Sequence, residues 1–165
     1  MANNPVGRKT STSLSHALIG LFETVHEGIY IGTFGPNEDT TAAANPHLKL
    51  MFGHPPEAKA SAVRPFDVKR FVDPQARRSF LDRLERDGSV TDYLLRLRRA
   101  DETPFWAEVT AHFKRGDAGQ GGEVAALMRD VSERRQIEHQ GRDLYNQLLQ
   151  AEKLAALGQT VSGVA

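Results

Sequence analysis

Residues 90–115 read VTDYLLRLRRADETPFWAEVTAHFKR. Two runs here alternate in character with a period of two, the mark of a strand that turns one face to a core and the other to water. In the first, Tyr93, Leu95 and Leu97 alternate with Asp92, Arg96 and Arg98. In the second, Phe105, Ala107, Val109, Ala111 and Phe113 share one face, and Trp106, Glu108, Thr110 and His112 the other. The ADETP between them is turn chemistry, so the two strands pair as an antiparallel hairpin. A third strand, GEVAALMRDV, follows the glycine-rich GDAGQGG and completes a meander. That connection lacks the Lys-Ser/Thr of a phosphate loop and opens no helix, so it is a hairpin turn.

Upstream, FVDPQARRSFLDRLERDG predicts a helix with Asp73 as its cap and Pro74 in its first turn. Phe80, Leu81 and Leu84 form its apolar stripe, and Gly88 ends it. NPHLKLMFG predicts a shorter helix, capped by Asn45, started by Pro46 and closed by Gly53. EGIYIGTF reads as a strand with Ile29 and Ile31 on the core face and Tyr30 on the other. A second short strand is expected near TTAAAN. SLSHALIGLFETV gives an amphipathic helix along Leu14, Leu18, Leu21 and Val25, with Ser13 as its cap. Residues 1–13, rich in Asn, Ser and Thr, are expected to form a disordered arm. Strands at both ends of a helical middle predict an α+β fold, a five-stranded antiparallel sheet with helices on one face.

Composition narrows the function classes. With 165 residues, 39% hydrophobic and 25% charged, the chain holds one ordinary domain plus an extended element. A formal net charge of +0 gives no general attraction to nucleic acid or anionic membrane. There is no apolar run of membrane-spanning length. Zero cysteines remove disulfides, thiolate metal sites and thiol nucleophiles, and a reducing compartment fits. His16, His26, His47, His54, His112 and His139 are scattered, with no pair spaced as metal ligands on one helix, so no metal is expected. No set of polar residues converges into a catalytic group, and the fragment is read as non-enzymatic.

In order and spacing, the motifs resemble a PAS sensor domain over roughly residues 18–135. EGIYIGTF resembles its first strand, NPHLKLMFG its Asn-to-Gly helix, RRADETPFWAEVTAHF its Trp-x-x-Val hairpin, and MRDVSERR its Asp-Val-Ser-Glu-Arg link to an output helix. Glu102 stands where that hairpin commonly has Gly, which implies a looser turn. The resemblance implies a candidate pocket between sheet and helices, lined by Ile29, Ile31, Leu48, Phe52, Phe66, Phe80, Leu84, Leu95, Val109, Phe113 and Met128. The same residues also make an ordinary filled core. Without Cys in the helical middle or His in the long helix, neither a covalent flavin nor haem is expected. A non-covalent flavin or another small ligand stays open.

After Asp130 the sequence changes to SERRQIEHQGRDLYNQLLQAEKLAALGQTVSGVA, free of Pro and rich in helix formers. The expected organisation is an arm (1–13), the PAS domain with its N-terminal helix (14–131) and a signalling helix (132–165). Ser132 can cap this helix, with Asp130 bonding that turn or pairing with Arg134 or Arg135. The resemblance implies that Asp130, Ser132, Arg134 and Arg135 form a signal junction. Ile137, Leu144, Leu148, Ala151, Leu154, Leu157 and Val161, continued by Val164, make a seam. From Leu144 its spacings run 4, 3, 3, 3, 4, 3, a break resembling a stammer. Identical seams bury themselves by parallel pairing, which predicts a homodimeric coiled coil.

AEKLAALGQTVSGVA is similar to the segment that leads into the phosphoacceptor helix of sensor histidine kinases. The chain is thus expected to stop just before the acceptor histidine of an ATP-dependent parent kinase. What this implies is a cytoplasmic sensory module of a two-component system, relaying a signal to a downstream kinase and its response regulator. The alternative is a ligand-free PAS dimerisation or protein-interaction module.

Overall fold

The computed structural model describes residues 5–34, 39–116 and 121–163, with side chains from residue 12 to residue 159. Along the chain run α1 (Pro5–Thr24), β1 (Gly28–Phe34), β2 (Thr40–Ala44), α2 (Pro46–Met51), two 3-10 turns (Ala60–Ala62 and Val68–Arg70) and α3 (Pro74–Asp87). Then come β3 (Ser89–Arg98), β4 (Pro104–Arg115), β5 (Gly122–Asp130) and α4 (Ser132–Gly163). The five strands form one antiparallel sheet in the order β2-β1-β5-β4-β3.

The helix ends obey local chemistry. Asn45 caps α2 by accepting from the Leu48 amide at 2.9 Å, with Pro46 behind it. Gly53, at φ +80, closes α2: its amide reaches the Leu50 carbonyl, and that of His54 the Lys49 carbonyl. Asp73 caps α3 through the Gln75 amide, and Gly88 ends it in the left-handed region. The β3–β4 turn is held by bonds between Arg99 and Thr103 and by the Asp101 carboxylate, which accepts from the Thr103 amide and hydroxyl. Glu102 sits there at φ +66, a conformation that favours glycine. The turn is therefore closed, and its cost lies in Glu102.

Three expectations are corrected. The first helix begins at Pro5, so residues 5–13 are helical and Ser13 lies inside α1 instead of capping it. Residues 1–4, and Asp117–Gln120 of the GDAGQGG turn, lie outside the described residues. Second, β1 turns the opposite way: Tyr30 and Phe34 are buried, whereas Ile31 is 43% exposed and Ile29 lies on the same outer face. The reason is close approach. Gly28 and Gly32 flank Tyr30 on the inner face, where a Cβ on Gly28 would press on Leu48 and one on Gly32 would strike the Tyr30 hydroxyl and the Thr40 carbonyl. Third, α4 starts at Ser132 itself, with Val131 the flanking residue whose carbonyl accepts from the Arg135 amide.

The chain divides into two compact units, Met1–Asp130 and Val131–Ala165. The first has a single core between the inner sheet face and α2, α3 and the turns. Aromatic rings cross it: Phe66 meets Tyr30, Phe34 and Phe80 at 5.2–5.4 Å between centroids, and Phe80 meets Tyr93 at 5.4 Å. No helix among the described residues is long and apolar enough to cross a membrane.

Candidate functional site

Strand alternation gives the last two residues of β5 opposite faces. Asp130 lies toward the inner side, where its carboxylate receives the Arg99 guanidinium at 2.6 Å. Arg99 is placed by the hairpin turn. It also donates to the Met51 carbonyl at the end of α2 and lies 4.4 Å from the centre of the Phe105 ring. One planar, permanently charged group thereby joins α2, β4 and β5. Arg129 points to the outer face, where Nε meets Glu27 at 2.6 Å and Nη1 lies 3.7 Å from Glu108. The hydrogen bond that Arg129 donates to Glu27, and then the charge of that carboxylate, raise the Arg129 pKa above its ordinary value.

Of the other junction residues, Arg134 lies 3.7 Å from Glu138 one turn along α4. Ser132 is the first residue of that helix, and the Arg135 amide closes its first turn. Arg99 and Glu27 carry no mark of these roles in the sequence. Their partners lie 31 and 102 residues away, and local spacing carries no signal at that range.

Eight of the eleven candidate pocket residues meet in the core: Leu48, Phe52, Phe66, Phe80, Leu84, Leu95, Val109 and Met128. Phe113 packs at its edge, and Ile29 and Ile31 are outside it. Tyr30 takes their place. Burial pushes its phenol pKa up, a hydrogen bond with Thr41 acts the other way, and its hydroxyl donates to the Thr40 carbonyl at 3.3 Å. Near it Arg77 binds the Phe66 carbonyl and the Asp39 carboxylate. The polar groups at this corner are occupied by one another, and the apolar interior is occupied by rings.

His26 and His47 approach with ring centroids 6.1 Å apart, a pair that sequence spacing did not bring together. Among the described residues no group of three or more His, Cys, Asp or Glu is arranged for a metal.

On α4 the seam residues Ile137, Leu144, Leu148, Leu154 and Leu157 are 57–69% exposed, and Ala151 is exposed too. The Val161 side chain, and Val164, lie outside the described residues.

No protein-family model matches the sequence, and no curated protein matches it. Solved structures do match. An RNA-binding Light-Oxygen-Voltage receptor aligns with a TM-score of 0.62 at 22% identity, over 86% of this chain and 40% of its own. This chain thus spans less than half of that receptor. A PAS domain from Colwellia psychrerythraea aligns with a TM-score of 0.55 at 17% identity, over 73% of this chain and 98% of its own. A sensory box histidine kinase/response regulator structure from Burkholderia thailandensis gives 0.55 at 18% identity, over 83% and 98%. The fold is a PAS fold. The strand order, the Asn45-capped α2 and the continuation of β5 into α4 are this chain's form of it.

Proposed function

We propose that the chain is the signal-transducing PAS module of a two-component sensor histidine kinase. In this reading it acts in the cytoplasm as a parallel homodimer. It passes its signal through α4 to a kinase domain in the parent chain, and from there to a response regulator. In this reading the module itself is not an enzyme.

The supporting observation is α4. It follows β5 after one residue, runs for 32 residues and carries an unburied apolar seam along its length. A lone helix of that kind leaves a long apolar stripe in water, and parallel pairing with its own copy covers it. The fold likeness to sensor histidine kinase PAS structures agrees with this setting. Light scattering tests the dimer: the expected mass is twice the 18.2 kDa chain, and a monomer at high micromolar concentration overturns the reading.

The aromatic contacts across the core favour a second reading, a ligand-free PAS dimerisation or protein-interaction module. Native mass spectrometry of the purified protein separates the two. A co-purifying small molecule or a visible absorption band supports a ligand sensor, and a ligand-free dimer of twice the chain mass supports the second reading.

A further inference from the structure

The short connection between α1 and β1 is gripped from two sides. On the inner side the fully buried Asn45 donates Nδ2 to the Glu27 carbonyl at 2.8 Å, while its Oδ1 accepts from the amides of Ile29 and Leu48 at 2.8 and 2.9 Å. On the outer side the Glu27 carboxylate takes the Arg129 guanidinium. The last turn of α1 reaches Glu27 after only two further residues, since the Val25 amide still bonds the Leu21 carbonyl.

Arg129 serves two carboxylates, Glu27 with 27% and Glu108 with 16% of its side chain exposed. Removing the cation would leave two partly buried carboxylates that share it without their common counter-charge. We infer that Arg129 is a positioning residue that couples α1 to the end of β5, so that a change in α1 is felt at Met128–Asp130 through the Arg129–Glu27 pair. This goes beyond the kinase reading and stands without it, because every group involved lies within the sheet domain. If that reading also holds, the coupling gives the outer helix a voice in the strand that leads to α4.

The test uses the full chain and amide hydrogen exchange. Arg129→Gln and Glu27→Gln are each expected to speed exchange at Val25–Ile29 about two- to fivefold, the range of a single ion pair of this exposure. The double variant should be no faster than either single one, since both remove one interaction. Glu108→Gln should leave Val25–Ile29 unchanged.

Coupling is reciprocal, so a second perturbation approaches from α1. Gly20→Ala adds a methyl group that meets nothing within 4 Å and stiffens the helix. It is expected to slow exchange at Met128–Asp130 about twofold in the native background and not in Arg129→Gln. Additive effects of the two glutamine variants, or slowing that persists without Arg129, overturn the inference. Loss of native circular dichroism in Arg129→Gln would make Arg129 a folding residue and overturn it as well.

Discussion

The sheet domain and α4 treat the same kinds of residue in opposite ways. In the domain, Phe66, Phe80, Leu48, Leu84, Leu95 and Leu97 are almost wholly removed from water by residues of the same chain. In α4, Ile137, Leu144, Leu148, Leu154 and Leu157 remain more than half exposed. A closed core makes a fold self-sufficient. A single helix draws little stability from its own backbone and depends on packing against something else. One chain thus joins a unit whose stability is internal to one whose apolar residues it leaves uncovered.

That contrast can be broken from either side, and the largest effect is expected inside the domain. Asn45→Ala removes a fully buried side chain that bonds two amides and a carbonyl, and should cost about 4 kcal/mol in denaturant unfolding of the sheet domain. A loss under 1 kcal/mol would show that the three bonds are replaced. Leu148→Asp acts on the other unit. If the proposed dimer forms, the substitution should raise its dissociation constant at least a hundredfold, about 3 kcal/mol, while the melting of the domain is unchanged. Equal masses for the variant and the parent by light scattering would remove Leu148 from the interface.

Asp130→Ala probes the place where the chain passes from one unit to the next. Loss of its pair with the partly exposed Arg99 should cost about 1 kcal/mol, and Arg99 keeps the Met51 carbonyl and the Phe105 ring. In the proposed parent kinase, autophosphorylation at fixed signal should change while the domain stays folded. Unchanged activity, or a loss traced entirely to unfolding, would leave Asp130 a structural residue only.

The smallest effect concerns the hairpin. Glu102→Gly relieves a left-handed backbone and should stabilise the domain by less than about 1 kcal/mol, because glycine also loosens the unfolded chain. Next to it, bonds from Thr103 hold the Asp101 carboxyl below the ordinary carboxylate range. Its contribution is therefore full above the unfolded-state pKa and fades as the pH falls through the lower folded value. Asp101→Asn should flatten that acid limb in a stability–pH profile.

Much of this architecture is written in local pattern. The period of two in β3 and β4, the Asp73–Pro74 start of α3 and the Asn45-to-Gly53 bracket around α2 each follow from a few neighbouring residues. Errors arise where another part of the molecule decides. In β1 the alternation of Ile29, Tyr30 and Ile31 admits either face, and the glycines at 28 and 32 settle it because α2 and β2 come so near. Two glycines framing an aromatic residue were the available signal. At the start of α1, Ser13 is as compatible with a cap as with a helix surface, so local pattern does not place the helix start at Pro5. The two arginine clamps at the end of β5 needed the sheet to exist before they could be seen.

The order of the strands has a consequence for how the molecule is made. The last strand to be synthesised, β5, lies in the middle of the sheet, bonded to β1 on one side and β4 on the other. Until the ribosome has delivered residue 130, β1 with β2 and β3 with β4 are two separate hairpins without a shared layer. Their union waits for contacts about a hundred residues apart, the slowest kind to form. The sheet is therefore completed just as α4 begins to emerge, and a ribosome that stalls before β5 leaves an open domain without α4.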